Sequence, residues 1–182
     1  MLFSRCNIPD VMEIQPVAHG DHRGFLMETW RKDLFQLNGL DHEFVQDNHS
    51  KSGRGILRGL HYQFNRPQGK LVRVIAGEIF DVAVDLRRSS ATFGQHVGRV
   101  LSDENKIMLW IPPGFAHGFY VLSASAEIAY KCTEYYSPED ERTILWNDKK
   151  LKIDWPLLDQ KAPVLSKRDQ DGTEFNKAET YP

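Results

Sequence analysis

Polar and titratable side chains crowd into three short stretches of the 182-residue chain, each set among apolar residues. The densest is RGLHYQ, residues 58–63, with Lys70 close behind it. If this stretch is a strand, period-2 alternation puts Gly59, His61 and Gln63 on one face and Arg58 on the other. Arg58 and His61 then reach one site only near a strand end or across a bulge. Histidine titrates near neutral pH and suits a proton acceptor, although a lone histidine serves equally well as a hydrogen-bonded structural residue. The second stretch, WIPPGFAHGF at 110–119, places His117 just after a Pro-Pro-Gly turn. In the third, EIAYKCTEYYSPEDE at 127–141, alternation groups Ile128, Tyr130 and Cys132, with Tyr135, Tyr136 and Glu141 at the exit. Tyrosines so placed more often pack than donate protons; an acid role needs a base across the same pocket.

Such groups need a rigid frame, and the rest of the sequence supplies one. Strand-like segments at 24–30, 44–50, 57–64, 71–76, 78–86, 94–101, 106–111, 116–122 and 127–135 follow one another between turn signals. That spacing predicts an all-β sandwich or barrel. Only 31–38, closed by Gly39, and the tail after Pro163 look helical; Ser166 and Asp169 stand there in capping-box spacing. In IFDVAVDL, Phe80, Val82 and Val84 alternate with Asp81, Ala83 and Asp85, giving a carboxylate-bearing face able to line a barrel cavity.

Composition narrows the function classes. A hydrophobic fraction of 41% and a charged fraction of 26% are those of a globular chain, and 182 residues suit one domain. No apolar run is long enough to span a bilayer, and the N-terminus lacks the apolar core of a signal peptide. Cys6 and Cys132 are too few for a disulfide framework, so two unpaired thiols in a reducing cytoplasm are expected. A net charge of -2 offers no general attraction for nucleic acid or an anionic membrane, so an anionic ligand has to be met by local arginines and lysines.

The two histidine stretches resemble the two motifs of the cupin superfamily. Pro112, Gly114 and His117 match the second motif. The first is broken: Gln63 stands where a second histidine belongs, and Pro67 and Gln68 where a glutamate belongs. At most two metal ligands remain, too few for a transition-metal site. The expected fold is therefore a cupin-type jelly-roll β-barrel with short peripheral helices and no metal.

A more specific resemblance covers about residues 9–169. The stretches DxRGFxxE (Asp21 to Glu28), FVQDNHS, LRGLHYQ, GKLVRV, GEIFDVAVDLR, TFGQHVG, IPPGFAHGF, YKCTEYYSP and ILWND occur in one order. Together they resemble the dTDP-4-dehydrorhamnose 3,5-epimerase family. The resemblance implies cofactor-free inversion at C3 and C5 of a dTDP-linked 4-keto-6-deoxy sugar, both carbons being next to the ketone. It implies His61 as base, Asp169 as the carboxylate orienting it and Tyr130 as acid; Asp81, on the polar face of its strand, is the alternative to Asp169. Lys70 would stabilise the enolate oxygen. Arg23, Arg58 and His117 would meet the diphosphate. Phe25, Glu28, Gln46, Asp47, Asn48 and Glu141 would contact the nucleotide and sugar, and Tyr136 would stack on the thymine. Arg168 replaces a lysine common in the family before the aspartate, keeping charge but changing reach. A homodimer is also implied, with the N-terminal strand region carrying Arg23 and Glu28 toward the neighbour's site. The competing readings are an epimerase acting at one centre, a metal-dependent cupin oxygenase, and a non-catalytic sugar-nucleotide binding barrel.

Overall fold

A computed structural model describes residues 1–182. In chain order the strands are β1 Leu2–Arg5, β2 Met12–Gln15, β3 Ala18–Asp21, β4 Gly24–Met27, β5 Gln46–Gly53, β6 Leu57–Gln63 and β7 Lys70–Ala76. They continue as β8 Glu78–Asp85, β9 His96–Ser102, β10 Met108–Ile111, β11 Phe115–Val121, β12 Ser125–Cys132 and β13 Glu141–Thr143. Two short helices, α1 Lys32–Leu37 and α2 Lys167–Gln170, are peripheral. The strands form a six-stranded sheet in the order β1-β2-β10-β7-β12-β5 and a five-stranded sheet in the order β13-β6-β11-β8-β9. The two face each other as a jelly-roll barrel, and a separate β3–β4 ribbon lies outside both.

Period-2 alternation explains where the core sits. Val72, Val74, Leu109, Ile111 and Ile128 of the larger sheet meet Ile79, Ala83, Val97, Phe119 and Val121 of the smaller one in the central cluster. The opposite face of the smaller sheet buries Val82, Val84, Ala116 and Tyr120 beneath Ile144, Leu151, Trp155 and Ala178 of the C-terminal segment. The opposite face of the larger sheet packs Met12, Ile14, Leu71, Met108 and Trp110 against Phe35 of α1. With both faces of β8 covered, its carboxylates do not line an open cavity. Asp81 is fully buried, and Asp85 accepts from Arg87, Ser90 and Thr92 at the strand end.

Expected strands match observed ones from β4 to β12, with ends displaced by a few residues. Four strands went unread: β1, β2, β3 and β13 are only three or four residues long, too short for an alternation such as Met12 and Ile14 in β2 to stand out. Helix α1 ends as expected: Gly39, at φ +83°, donates to Gln36 O and Leu40 donates to Phe35 O, the paired bonds of a glycine-terminated helix. The C-terminal tail differs from expectation. Beyond the four residues of α2 it runs mostly extended, with Val164 N–H donating to Gly55 O and Tyr181 N–H to Leu86 O, because its apolar residues close the second core. Cys6 and Cys132 are both free and buried. No helix is long and apolar enough to cross a membrane.

Candidate active site

A pocket of about 320 Å³ opens between the sheets at one end of the barrel. The larger sheet lines it with Gln46, Asn48, Ser50, Lys70 and Tyr130; the smaller contributes Arg58, His61, His117, Phe119 and Glu141. Gln68, Tyr136 and Arg168 complete the rim.

Arg58 and His61 share this pocket through an irregularity in the pairing of β6 with β11. His61 lies opposite His117 and Arg58 opposite Phe119, so three steps along β6 match two along β11. The extra residue turns both side chains to one face, the bulge that alternation required. At the crossing the two backbones almost touch: a Cβ on Gly59, at φ +135°, would lie 2.4 Å from Gly118 Cα.

His61 Nε2 lies 2.6 Å from Asp169 Oδ1. The Asp169 side chain is 3% exposed; its Oδ1 also accepts from Gly59 N–H at 3.2 Å, and Oδ2 accepts from Ser166 Oγ at 2.6 Å. Ser166 caps α2 by accepting from Asp169 N–H, so the cap and the histidine contact meet at one aspartate. Burial pushes its acidity toward a higher pKa, but the hydrogen bonds from His61, Ser166 and Gly59 outweigh it and hold the carboxyl at about 2. A carboxylate depressed from 3.8 to about 2 stabilises the fold by about 2 kcal/mol above the unfolded value. That contribution is lost as pH falls from about 4 toward 2. The stability gap between wild type and Asp169→Asn, measured by urea unfolding, should therefore hold from pH 6 to about 4 and narrow as pH falls from about 4 toward 2. A gap independent of pH would contradict this ionisation.

Asp81 does not reach His61. Its Oδ2 lies 2.8 Å from His117 Nε2, forming a second buried carboxylate–histidine pair behind the pocket wall. Lys70 and Tyr130 come from neighbouring strands of the larger sheet. Burial pushes the Lys70 ammonium down, countered in part by Cys132, Glu141 and Asp81, and burial pushes the Tyr130 phenol up, so the phenol keeps its proton at neutral pH. Arg58 is steadied by donating from Nε to Ser52 Oγ at 3.0 Å and from Nη2 to Lys51 O at 3.3 Å.

Gln63, at the position of the missing cupin histidine, fastens a loop instead. Its Nε2 donates to Arg66 O (2.8 Å) and Tyr135 O (3.1 Å), and its Oε1 accepts from Ser137 N–H at 2.7 Å. These bonds hold both sides of Tyr136, whose N–H donates to Gln46 Oε1 at 2.9 Å. The Tyr136 hydroxyl donates to Glu141 Oε2 at 2.6 Å, and Arg168 pairs with the same oxygen.

Four of the expected contact residues lie outside the pocket of their own chain. The alternation of β5 that turns Gln46 and Asn48 inward turns Asp47 outward, where it accepts from Lys131 Nζ at 3.0 Å. Arg23, Phe25 and Glu28 lie on or just beyond the exposed β3–β4 ribbon; Phe25 is 59% exposed, and Arg23 pairs with Asp21. Sequence reading missed Ser50, Gln68 and Phe119. Ser50 and Phe119 share the parity of Asn48 and His117, a signal that was present, whereas Gln68 reaches the rim from a loop with no period.

Residues 5–177 match the family of dTDP-4-dehydrorhamnose 3,5-epimerases. An enzyme of that name from Pseudomonas aeruginosa is 56% identical over 183 residues, covering 100% of both chains. One from Shigella flexneri is 53% identical, covering 97% of each. Among solved structures, a 3,5-epimerase from Legionella pneumophila in complex with dTDP-4-keto-L-rhamnose superposes with a TM-score of 0.94 at 51% identity, covering 98% of this chain and 94% of that one. A 3'-monoepimerase from Streptomyces bikiniensis in complex with dTDP-quinovose superposes with a TM-score of 0.87 at 31% identity, covering 94% and 86%. On the strength of the full-length matches and the shared barrel, the chain belongs to the dTDP-4-dehydrorhamnose 3,5-epimerase family.

Proposed function

We propose that this protein is an isomerase that inverts C3 and C5 of dTDP-4-dehydro-6-deoxy-D-glucose, giving dTDP-4-dehydro-L-rhamnose. The observation that carries the proposal is the His61–Asp169 pair set in one pocket with Tyr130 and Lys70. With the Nε2 hydrogen directed at Asp169, His61 Nδ1 is the nitrogen left to take a proton from carbon. The electron pair moves onto the C4 oxygen as an enolate, which the Lys70 ammonium stabilises. Tyr130, holding its proton at neutral pH, delivers it from the other face, and the carbon inverts.

Arg58, with His117, is suited to the diphosphate, and Gln46 and Asn48 to the nucleoside. Arg58→Ala should weaken dTDP binding about tenfold to a hundredfold, corresponding to loss of about 1.5–3 kcal/mol of charge-assisted hydrogen bonding. Calorimetric titration with dTDP measures this, and unchanged affinity would remove Arg58 from the diphosphate site.

We further read the chain as one domain acting as a homodimer in the cytoplasm. The exposed β3–β4 ribbon, which leaves Arg23, Phe25 and Glu28 outside their own pocket, supports the dimer, and the two free thiols suit a reducing compartment.

The test is deuterium entry from heavy water into the substrate, followed by NMR with a chelator present. Entry at both C3 and C5 is the expected result. Entry at one carbon would instead align the chain with the monoepimerases, and none at either would refute enolisation of this sugar.

A further inference from the structure

Resting on that reaction, a further requirement follows from proton balance. Inverting one carbon moves a proton from carbon to His61 Nδ1 and another from the Tyr130 phenol to the opposite face of that carbon. The pocket is left with imidazolium and phenolate. The second inversion needs neutral imidazole and phenol again, so one proton has to pass from His61 to Tyr130 with no net gain or loss. Because base and acid act on opposite faces in the proposed reaction, a bound sugar would stand between them and bar a direct transfer.

One side chain is placed to go around it. Glu141 enters from β13, where it pairs with Gln63, while Thr143 two residues on pairs with His61. Its side chain is only 10% exposed. Oε2 is committed to the Tyr136 hydroxyl at 2.6 Å and to Arg168. Oε1 has no hydrogen-bond partner and points toward His61 Nδ1 at 3.9 Å, a gap that a small side-chain rotation closes. Tyr130 and Tyr136 line the same pocket as Glu141 and His61, so the carboxylate and the second phenol share one chamber with acid and base.

We infer that Glu141 is the relay that resets the site between the two inversions. His61 gives its Nδ1 proton to Oε1. The Tyr136 hydroxyl passes its own proton to the Tyr130 phenolate and takes one from the Glu141 carboxyl. At the end all four groups hold their starting protons.

The test is a single-turnover experiment in heavy water, with enzyme in excess over dTDP-4-dehydro-6-deoxy-D-glucose, timing deuterium entry at each carbon. In Glu141→Gln, which keeps the shape but cannot take up and release a proton, entry at the later carbon should fall at least about tenfold further than entry at the earlier one. Added formate, a small carboxylate, should restore the later step in proportion to its concentration. Glu141→Asp, which keeps the carboxylate, should show a smaller split between the carbons. Equal losses at both carbons, or indifference to formate, would overturn the relay and leave Glu141 as a binding residue. Failure of the wild type to exchange at either carbon would strike the proposed reaction itself, and the relay with it.

Discussion

His61→Ala should lower turnover by roughly 10²–10⁴-fold, to the edge of detection, while dTDP affinity changes by no more than about threefold. The asymmetry follows from geometry. Of the two carboxylate-paired histidines that line the pocket, His61 is the more open, its side chain 21% exposed against 9% for His117, so removing it deletes proton abstraction at both carbons. The diphosphate contacts assigned to Arg58 and His117 remain in place. Removing the ring also leaves the Asp169 carboxylate, with its side chain 3% exposed, short of one donor, at a cost of about 1–3 kcal/mol in stability. His61→Gln, which can still donate toward Asp169, separates the two effects: it should fold more firmly than the alanine variant and be as inactive. Near-native turnover in either variant, measured as deuterium entry at C3 and C5, would mean that another group is the base.

Gly59→Ala should destabilise the protein by at least about 3 kcal/mol, lowering Tm by roughly 10 °C. Its new Cβ would sit 2.4 Å from Gly118 Cα and 2.9 Å from His117 O, backbone atoms of a central strand that cannot swing aside as a flexible side chain does. The residue also holds φ +135°, a region that side-chain-bearing residues avoid. Any folded fraction should be inactive, because relieving the overlap separates β6 from β11 and dissolves the bulge that brings Arg58 and His61 to one face. Thermal unfolding followed by circular dichroism measures the first effect. A variant with unchanged Tm would show that the close strand crossing is not required.

Much of the barrel is legible in the amino-acid sequence. The strands that carry pocket residues combine several apolar or alternating positions with turn signals, and their period survives burial. The very short strands are invisible because three or four residues span too little chain to establish a period, and β13 exists because Ile144 seals the second core and draws Glu141 to Thr143 alongside β6. Residue types likewise announce proton chemistry at His61, Tyr130 and Lys70. What alternation cannot supply is how Arg58 joins them, since one residue added at a bulge reverses parity beyond it.

The amino-acid sequence by itself determined the all-β class, the family, and the stretches holding acid, base and cation, because each is carried by local pattern or motif. Only the tertiary structure decided the partners. It joined His61 to Asp169, 108 residues away, and gave Asp81 to His117. It turned Asp47 outward, set Gln63 to fastening a loop, and aimed the free oxygen of Glu141 at the base. A hydrogen bond selects an atom by distance and direction, and those are settled only when two sheets close on one core.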